Sequence, residues 1–175
     1  YVTKKVIIYK NEKVKRDKIE KKFSTIPITV ERNKPYLRGN TVMNNSGVDV
    51  KLLIDIGNSD SIWLFQNLSE QIKVPSKNFE DFLGKGFSGD IEGKRAKISE
   101  FSFGKFVFKS PIVAFPDSSS IKSVRMVQSR VGSIGGEILK RFSVIFDYQN
   151  EKMYLRRNSD FDEPFTYNKS GIEIK

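Results

Sequence analysis

Short segments of strand type, separated by turn residues, are the feature of this sequence that most limits the folds it can adopt. Tyr36–Met43 and Val48–Ile54 both favour strands, and the Asn-Asn-Ser-Gly sequence at 44–47 lies between them. Asn and Gly tolerate the positive φ angles of a hairpin turn, so this region predicts a β-hairpin. Many short strands of this kind predict a mostly β domain, either a closed β-barrel or a sandwich.

Two further hairpins and two or three short helices complete the predicted fold. Gly104-Lys105 and residues 147–152 each separate two apolar, strand-type segments. Gly135–Phe142 is the clearest amphipathic helix, and Leu68–Ile72 and Phe79–Leu83 suit shorter helices.

The chain contains no Cys and no His. Disulfides, thiol nucleophiles, thiolate or His-ligated zinc and Ser-His-Asp catalysis are therefore all excluded. Any catalysis must use carboxylates, Lys, Tyr, Ser or Thr, or a hard metal on oxygen ligands.

The net charge of +10 is concentrated at one end of the chain. Residues 1–22 hold nine Lys or Arg and three acidic residues, so they account for +6 of it. The aromatic residues do not interleave with these charges in the way that a nucleic-acid stacking surface requires. We therefore expect a basic linker and no nucleic-acid partner. The rival is a nucleic-acid-binding β-barrel, favoured if single-strand binding survived deletion of residues 1–22 with a steep salt dependence.

We divide the chain into the linker of residues 1–22, a folded lobe of residues 23–157 and a C-terminal extension of residues 158–175. Phe23–Val30 is expected to be the first strand of the lobe. Val6–Tyr9 is also of strand type, and residues 5–11 resemble residues 152–158. Either the linker includes the last strand of a preceding lobe, or the similarity is due to chance. No apolar run reaches the roughly 20 residues of a membrane span, and the chain reads as a piece of a longer protein.

A glycine-rich segment, Gly84–Gly89, fits the pattern GxGxxG. A dinucleotide-binding loop needs a strand before it and a helix after it, which this context does not offer, and the other motifs of kinases are absent. The segment therefore predicts either a mobile hairpin or an ordinary exposed loop.

Asp55 is the strongest candidate for chemistry. It directly follows the apolar Val48–Ile54 and precedes the tight turn at 56–59, after which the chain returns to the apolar 61–65. A carboxylate enclosed between two buried strands is costly, so it indicates either a functional group or an aspartate satisfied within its turn. Asp147, which opens a turn, is expected to be structural.

These segments, in this order, resemble the retropepsin-like aspartic proteases. The family places Asp-(Thr/Ser)-Gly after an apolar strand, then a glycine-rich flap, then a hydrophobic-hydrophobic-Gly loop before a short helix. Here the three parts are Leu52–Phe65, Gly84–Lys94 and Ser133-Ile134-Gly135. The similarity spans about residues 23–171 and is greatest to bacterial aspartyl-protease-like proteins, in which a PDZ domain often follows the protease region.

The resemblance implies a mostly β, acid-protease lobe and an aspartic endopeptidase activity. Asp55 would be catalytic, the flap residues would bind an extended peptide or protein substrate, and Ile134 and Gly135 would pack behind the catalytic pair. The implied flap residues are Gly86, Phe87, Ser88 and Gly89.

Two carboxylates would share one proton and hold a water, since like charges about 3 Å apart do not both ionise. No metal or cofactor is needed. Because the chain supplies one such Asp, the second must come from a preceding lobe or from a second copy in a homodimer. The sequence does not fix the cellular compartment, and export to the periplasm of a bacterium is compatible with the resemblance.

Ile56 departs from the family pattern. The family has Thr or Ser there, and the hydroxyl hydrogen-bonds to the opposite loop. Gly57, Asn58 and Ser59 complete the turn, and Asn58 is a candidate substitute donor. The alternative function is therefore a retropepsin-like peptide-binding module with impaired or no catalysis.

Overall fold

A computed structural model describes residues 6–10, 12, 14–86, 89–119 and 129–167. Within these ranges the chain forms two short α-helices, two single turns of 3₁₀ helix and a series of short strands. The helices are α1 (Arg16–Glu20) and α2 (Gly136–Leu139), and the 3₁₀ turns are Gln66–Leu68 and Tyr148–Asn150. The strands are β1 (Ser24–Pro27), β2 (Thr29–Glu31), β3 (Lys34–Met43), β4 (Ser46–Ile54), β5 (Ile62–Leu64), β6 (Asn78–Gly86), β7 (Gly89–Lys97), β8 (Glu100–Phe103), β9 (Phe106–Lys109), β10 (Ile112–Pro116), β11 (Gly132–Ile134), β12 (Phe142–Asp147) and β13 (Lys152–Arg157).

The strands form one large sheet and one small sheet. The large sheet has the order β6-β7-β10-β5-β11-β4-β3-β8-β9, and β2 pairs with β3 beside this path. The small sheet has the order β1-β13-β12. The mostly β prediction is confirmed, but the large sheet is open, because its end strands β6 and β9 do not pair with each other.

The centre of the large sheet is formed by β11, which lies between β4 and β5. It runs parallel to β4, with Ile134 opposite Ile54, and antiparallel to β5, with Ile134 opposite Ile62. All three isoleucines are buried. This arrangement brings the end of β4, which precedes Asp55, next to the start of α2, which follows Gly135. Both segments belong to the ordered set of motifs that the sequence predicted.

Phenylalanines of the β8–β9 hairpin join the large sheet to the small one. Phe101, Phe103, Phe106 and Phe108 are all buried, and the rings of the last three contact the ring of Phe142 of β12. The Phe106 and Phe142 ring centroids lie 4.7 Å apart with the rings edge to face. Burial of each such side chain stabilises the fold by roughly 1.5–3 kcal/mol, so this cluster is a main part of the core.

The three predicted hairpins are present. Residues Asn44 and Asn45 have φ angles of 50° and 62°, which accounts for the sharp turn between β3 and β4. The β8–β9 hairpin turns at Gly104-Lys105, and β12 pairs with β13 across the 3₁₀ turn. The helix predicted over Gly135–Phe142 is shorter than expected, because β12 already begins at Phe142.

Other local predictions were wrong. Phe79–Leu83 is not a helix but part of β6, whose backbone pairs with β7. A short segment with apolar residues three and four positions apart fits a helix or a strand, and here the partner strand decides. Leu68–Ile72 forms no helix beyond the 3₁₀ turn that ends at Leu68, and Phe23–Val30 is divided into β1 and β2, which belong to different sheets.

The two ends of the described chain differ in their contacts. Residues 6–10 form no strand and their side chains are exposed, so the strand expected at Val6–Tyr9 is not found. The predicted linker contains α1, which is joined to the small sheet by ion pairs from Arg16 to Asp147 and from Glu20 to Lys152. Residues 158–167 pack against the lobe, and Phe161 and Phe165 are buried.

In the described ranges, no helix has the length and apolar character that a membrane crossing requires.

Candidate active site

Asp55 lies one residue beyond the end of β4, at the start of an exposed turn. Its backbone N–H donates to the Ile134 carbonyl at 2.9 Å, which fixes the turn to the end of β11. Its Oδ1 accepts a hydrogen bond from the Gly57 N–H at 3.1 Å, and its carbonyl accepts one from the Asn58 N–H at 3.3 Å. The side chain is half-buried, so the carboxylate is less enclosed than the sequence suggested.

The residues predicted behind the site do lie against the Asp55 turn. Ile134 is fully buried, and Gly135 donates its N–H to the Ser61 carbonyl at 2.9 Å. A Cβ atom on Gly135 would come within 2.3 Å of the Asp60 carbonyl oxygen, so only glycine permits this approach. The turn and the start of α2 are therefore packed backbone to backbone.

Three of the other turn residues are exposed, and the fourth is half-buried and hydrogen-bonded within the turn. Ile56 is 69% exposed, so its apolar side chain faces solvent beside Asp55. Gly57 and Ser59 are exposed as well. Asn58 is half-buried and its side-chain oxygen accepts the Asp60 N–H at 2.9 Å, so that oxygen is used within the turn.

The predicted flap is a hairpin made by β6 and β7, and we call these two strands the flap hairpin. Gly86 ends β6 and Gly89 begins β7, and the two residues pair. Phe87 and Ser88, also predicted to bind substrate, lie outside the described residues. Among the described residues, no hydrogen bond joins Gly86 or Gly89 to Asp55.

Three charged residues that sequence reasoning missed connect this hairpin to the turn. Arg95 of β7 donates from Nη1 to Asp60 Oδ1 at 2.6 Å and from Nε to Asp81 of β6. Trp63 Nε1 donates to Asp60 Oδ2 at 2.6 Å. The Asp60–Trp63 pair is only three residues apart and was within reach of a sequence argument, whereas the pairing of Arg95 depends on how the strands are arranged.

Arg130 adds positive charge near the carboxylate. Its Nε donates to the Gly132 carbonyl at 3.0 Å and its guanidinium lies 5.3 Å from the centre of the Phe65 ring. Burial lowers the pKa of Arg130, and the negative charge of Asp55 opposes this only in part. The Arg130 guanidinium and the Asp55 carboxylate therefore attract each other.

A cavity of about 700 Å³ lies beside the Asp55 turn but does not include Asp55. It is lined by Ser59, Asp60, Asp81, Arg95, Glu137 and Tyr167, among others. Among the described residues, no group of three or more acidic side chains is arranged to hold a metal ion.

A comparison with solved structures identifies the fold. The chain is similar to a retropepsin-like aspartic protease from Rickettsia conorii, known from a crystal structure, with a TM-score of 0.50 and 20% sequence identity. The similarity covers 75% of this chain and 98% of the Rickettsia chain. Neither a protein-family model nor a curated protein sequence matches the chain. The fold is therefore that of a retropepsin-like aspartic protease, as the ordered motifs predicted.

Proposed function

We propose that this chain is one lobe of an aspartic endopeptidase and that Asp55 supplies one of the two catalytic carboxylates. The observation that carries the proposal is the position of Asp55 in this fold. It follows β4, which pairs with the central strand β11, is fixed to Ile134 by its backbone, and opens a turn whose surface is exposed to solvent. Such a carboxylate is positioned to meet a second one across an interface.

In the proposed reaction, a water held between the two carboxylates attacks the carbonyl carbon of the scissile peptide bond. One carboxylate takes a proton from the water, and the protonated partner gives its proton to the carbonyl oxygen. Collapse of the tetrahedral intermediate breaks the C–N bond as the amine nitrogen receives a proton. Because the pair must hold one proton, activity is expected at mildly acidic pH.

The proposal requires a second lobe, from a preceding part of the same polypeptide or from a second copy. Two features support an interface at the Asp55 turn. Ile56 leaves an apolar side chain 69% exposed directly beside Asp55. The cavity beside the turn does not include Asp55, as expected if the substrate cleft is completed by a second lobe.

Cleavage of peptides by the complete protein tests the proposal. We expect pepstatin-sensitive cleavage at mildly acidic pH, and Asp55→Asn should reduce kcat by at least about a thousandfold, since the shared proton and the base are both lost. Asp49→Asn is the matched control, because Asp49 lies on β4, is exposed and bonds to the Asn40 side chain at 3.0 Å. Equal activity of the wild type and Asp55→Asn would remove Asp55 from the mechanism.

A second candidate function is favoured by Ile56, which has no hydroxyl to hydrogen-bond to an opposite loop. In that case the lobe binds extended peptides by strand addition and does not cleave them. Ile56→Thr distinguishes the two candidates. A wild type that binds peptide without cleaving it, with cleavage gained in Ile56→Thr, would favour the binding module over the protease.

A further inference from the structure

Arg95 joins the flap hairpin to the turn that carries Asp55. Its side chain is only 16% exposed, and its two bonds go in different directions, to Asp81 on the neighbouring flap strand and to Asp60 on the turn. A guanidinium can donate two such bonds at once because its N–H groups form a rigid, planar fork.

Asp60 is itself held firmly. Its Oδ2 accepts the Trp63 Nε1–H at 2.6 Å, its N–H donates to the Asn58 side chain at 2.9 Å, and its carbonyl accepts the Glu137 N–H at 3.2 Å. The first of these bonds fixes the carboxylate relative to β5, and the other two fix the backbone relative to the Asp55 turn and α2. Arg95 therefore connects the flap hairpin to a rigid point and not to a mobile loop.

Other ion pairs of the flap hairpin stay within it. Lys94 pairs with Glu80 at 3.4 Å and Lys85 approaches Asp90 at 4.0 Å, and all four residues belong to β6 or β7. Burial lowers the pKa of Arg95, but its hydrogen bonds and charge interactions with Asp60 and Asp81 outweigh this, so the pKa is raised and the side chain remains charged. A desolvated, charge-assisted pair of this kind is worth more than the exposed pairs.

Strand β6 of the flap hairpin contains a β-bulge between Asp81, which bonds to Arg95, and the end of the strand at Gly86. The strand register shifts between Phe82 and Gly84, and Gly84 has a φ of 137°, which glycine adopts without strain. Along β6, Asp81 precedes this bulge and Gly86 follows it. The Arg95–Asp81 bond therefore lies in the regular part of the hairpin, before the bulge.

We propose that Arg95 is a positioning residue that holds the base of the flap hairpin at a set distance from the Asp55 turn, and so determines how tightly an extended peptide is enclosed. This inference rests on the proposed function. Because Arg95 acts on enclosure and does not touch the reacting atoms, its loss weakens substrate binding more than it slows the chemical step.

The kinetic test uses the complete protein and a peptide long enough to extend beneath the flap. Arg95→Met should raise KM about tenfold with kcat changed by less than about threefold. Arg95→Lys should recover part of the loss, since an ammonium group keeps the charge but not the fork. Lys94→Met is the matched control, because it removes a neighbouring ion pair that is confined to the hairpin, and its KM should stay within about twofold of the wild type. Equal changes in KM for Arg95→Met and Lys94→Met, or a loss confined to kcat, would overturn the proposal.

Hydrogen exchange tests the same inference without any catalysis. In Arg95→Met and, more weakly, in Arg95→Lys, amide exchange should rise together in β6, β7 and the turn at 56–61, whereas Lys94→Met should leave exchange in the turn unchanged. Unchanged exchange in the turn of both Arg95 variants would overturn the proposed connection. If the wild type cleaves no peptide, the proposed function fails, and the exchange results still decide whether Arg95 links the two segments.

Discussion

Arg141 shows how a single buried charge can organise a segment that has no regular structure. Its side chain is 1% exposed and donates to the carbonyls of Asp160, Phe161 and Glu163, and to Glu137. An arginine this deeply buried is rare unless its donors are satisfied. Here the partners are backbone carbonyls of residues 158–167, so the guanidinium takes the place of strand pairing for that segment.

The first prediction concerns this residue. Arg141→Met should lower the free energy of unfolding by about 3 kcal/mol, because several buried acceptors lose their donor and the Glu137 carboxylate loses a partner. Urea-induced unfolding measures the change, and limited proteolysis should show earlier cleavage within residues 158–167. Arg156→Met is the control, since Arg156 is exposed and lies over the Phe23 ring at 5.0 Å, and it should cost less than about 1 kcal/mol. An equal loss of unfolding free energy in both variants would show that the buried hydrogen bonds of Arg141 stabilise the protein no more than the contacts of the exposed Arg156.

At the scale of elements, the packing of β11 between β4 and β5 is what forms the Asp55 site. The three strands approach so closely that a Cβ atom on Gly132 would lie 2.0 Å from the Trp63 carbonyl oxygen. Gly132 therefore permits the approach of β11 to β5, and Gly135 does the same for the turn that follows β4.

Gly132→Ala should accordingly destabilise the protein by about 3 kcal/mol, because the strands must separate to accept the methyl group. Gly47→Ala is the matched control, since Gly47 is exposed on β4 and the nearest atom to its added Cβ, in the Asn40 side chain, is 3.5 Å away. That change should alter stability by less than about 1 kcal/mol. Thermal unfolding of both variants compares them, and a fully stable Gly132→Ala protein would be incompatible with the observed strand spacing.

Helix α1 gives a prediction about pH. Burial raises the pKa of Asp147, but hydrogen bonds from Arg16 and Asn150 outweigh this and hold the pKa below its usual range. The folded state therefore binds the proton more weakly than the unfolded state, so this stabilisation is present above about pH 4 and is lost as the pH falls further.

Below about pH 4, the free energy of unfolding should therefore fall less steeply with pH in Asp147→Asn than in the wild type. The difference between the two slopes corresponds to at most about one proton taken up on unfolding. Urea-induced unfolding at several pH values between about 2 and 6 measures the slopes. Asp117→Asn, which changes an exposed aspartate, serves as the control for the general loss of negative charge. Parallel curves for Asp147→Asn and the wild type would contradict the Arg16–Asp147 contribution.

At the scale of the whole molecule, the sequence predicted what depends on local pattern and missed what depends on strand arrangement. The Asn44–Asn45 turn and the position of Asp55 directly after an apolar strand are local signals, and the structure contains both, although the Asp55 carboxylate is less enclosed than predicted. The local pattern of Phe79–Leu83 predicts a helix, because the partner strand that makes it part of β6 is recognised only in three dimensions. Arg95 was missed for the same reason, since its two carboxylate partners are 14 and 35 residues away in the chain.

The proposed mechanism needs a second carboxylate, and a mixing experiment identifies its source. We expect two copies to pair across the Asp55 turn, because this turn leaves Ile56 exposed. In a symmetric dimer every active pair needs Asp55 from both copies.

Unfolding and refolding the wild type together with an equal amount of Asp55→Asn would then leave about one quarter of the activity of the same total amount of wild type. If the partner carboxylate instead belongs to the same polypeptide, each wild-type molecule is active by itself and about one half remains. Mixing with the Asp49→Asn control should leave the full activity in either case. A residual activity near one half would therefore reject pairing between copies and assign the second Asp to another lobe of the complete chain.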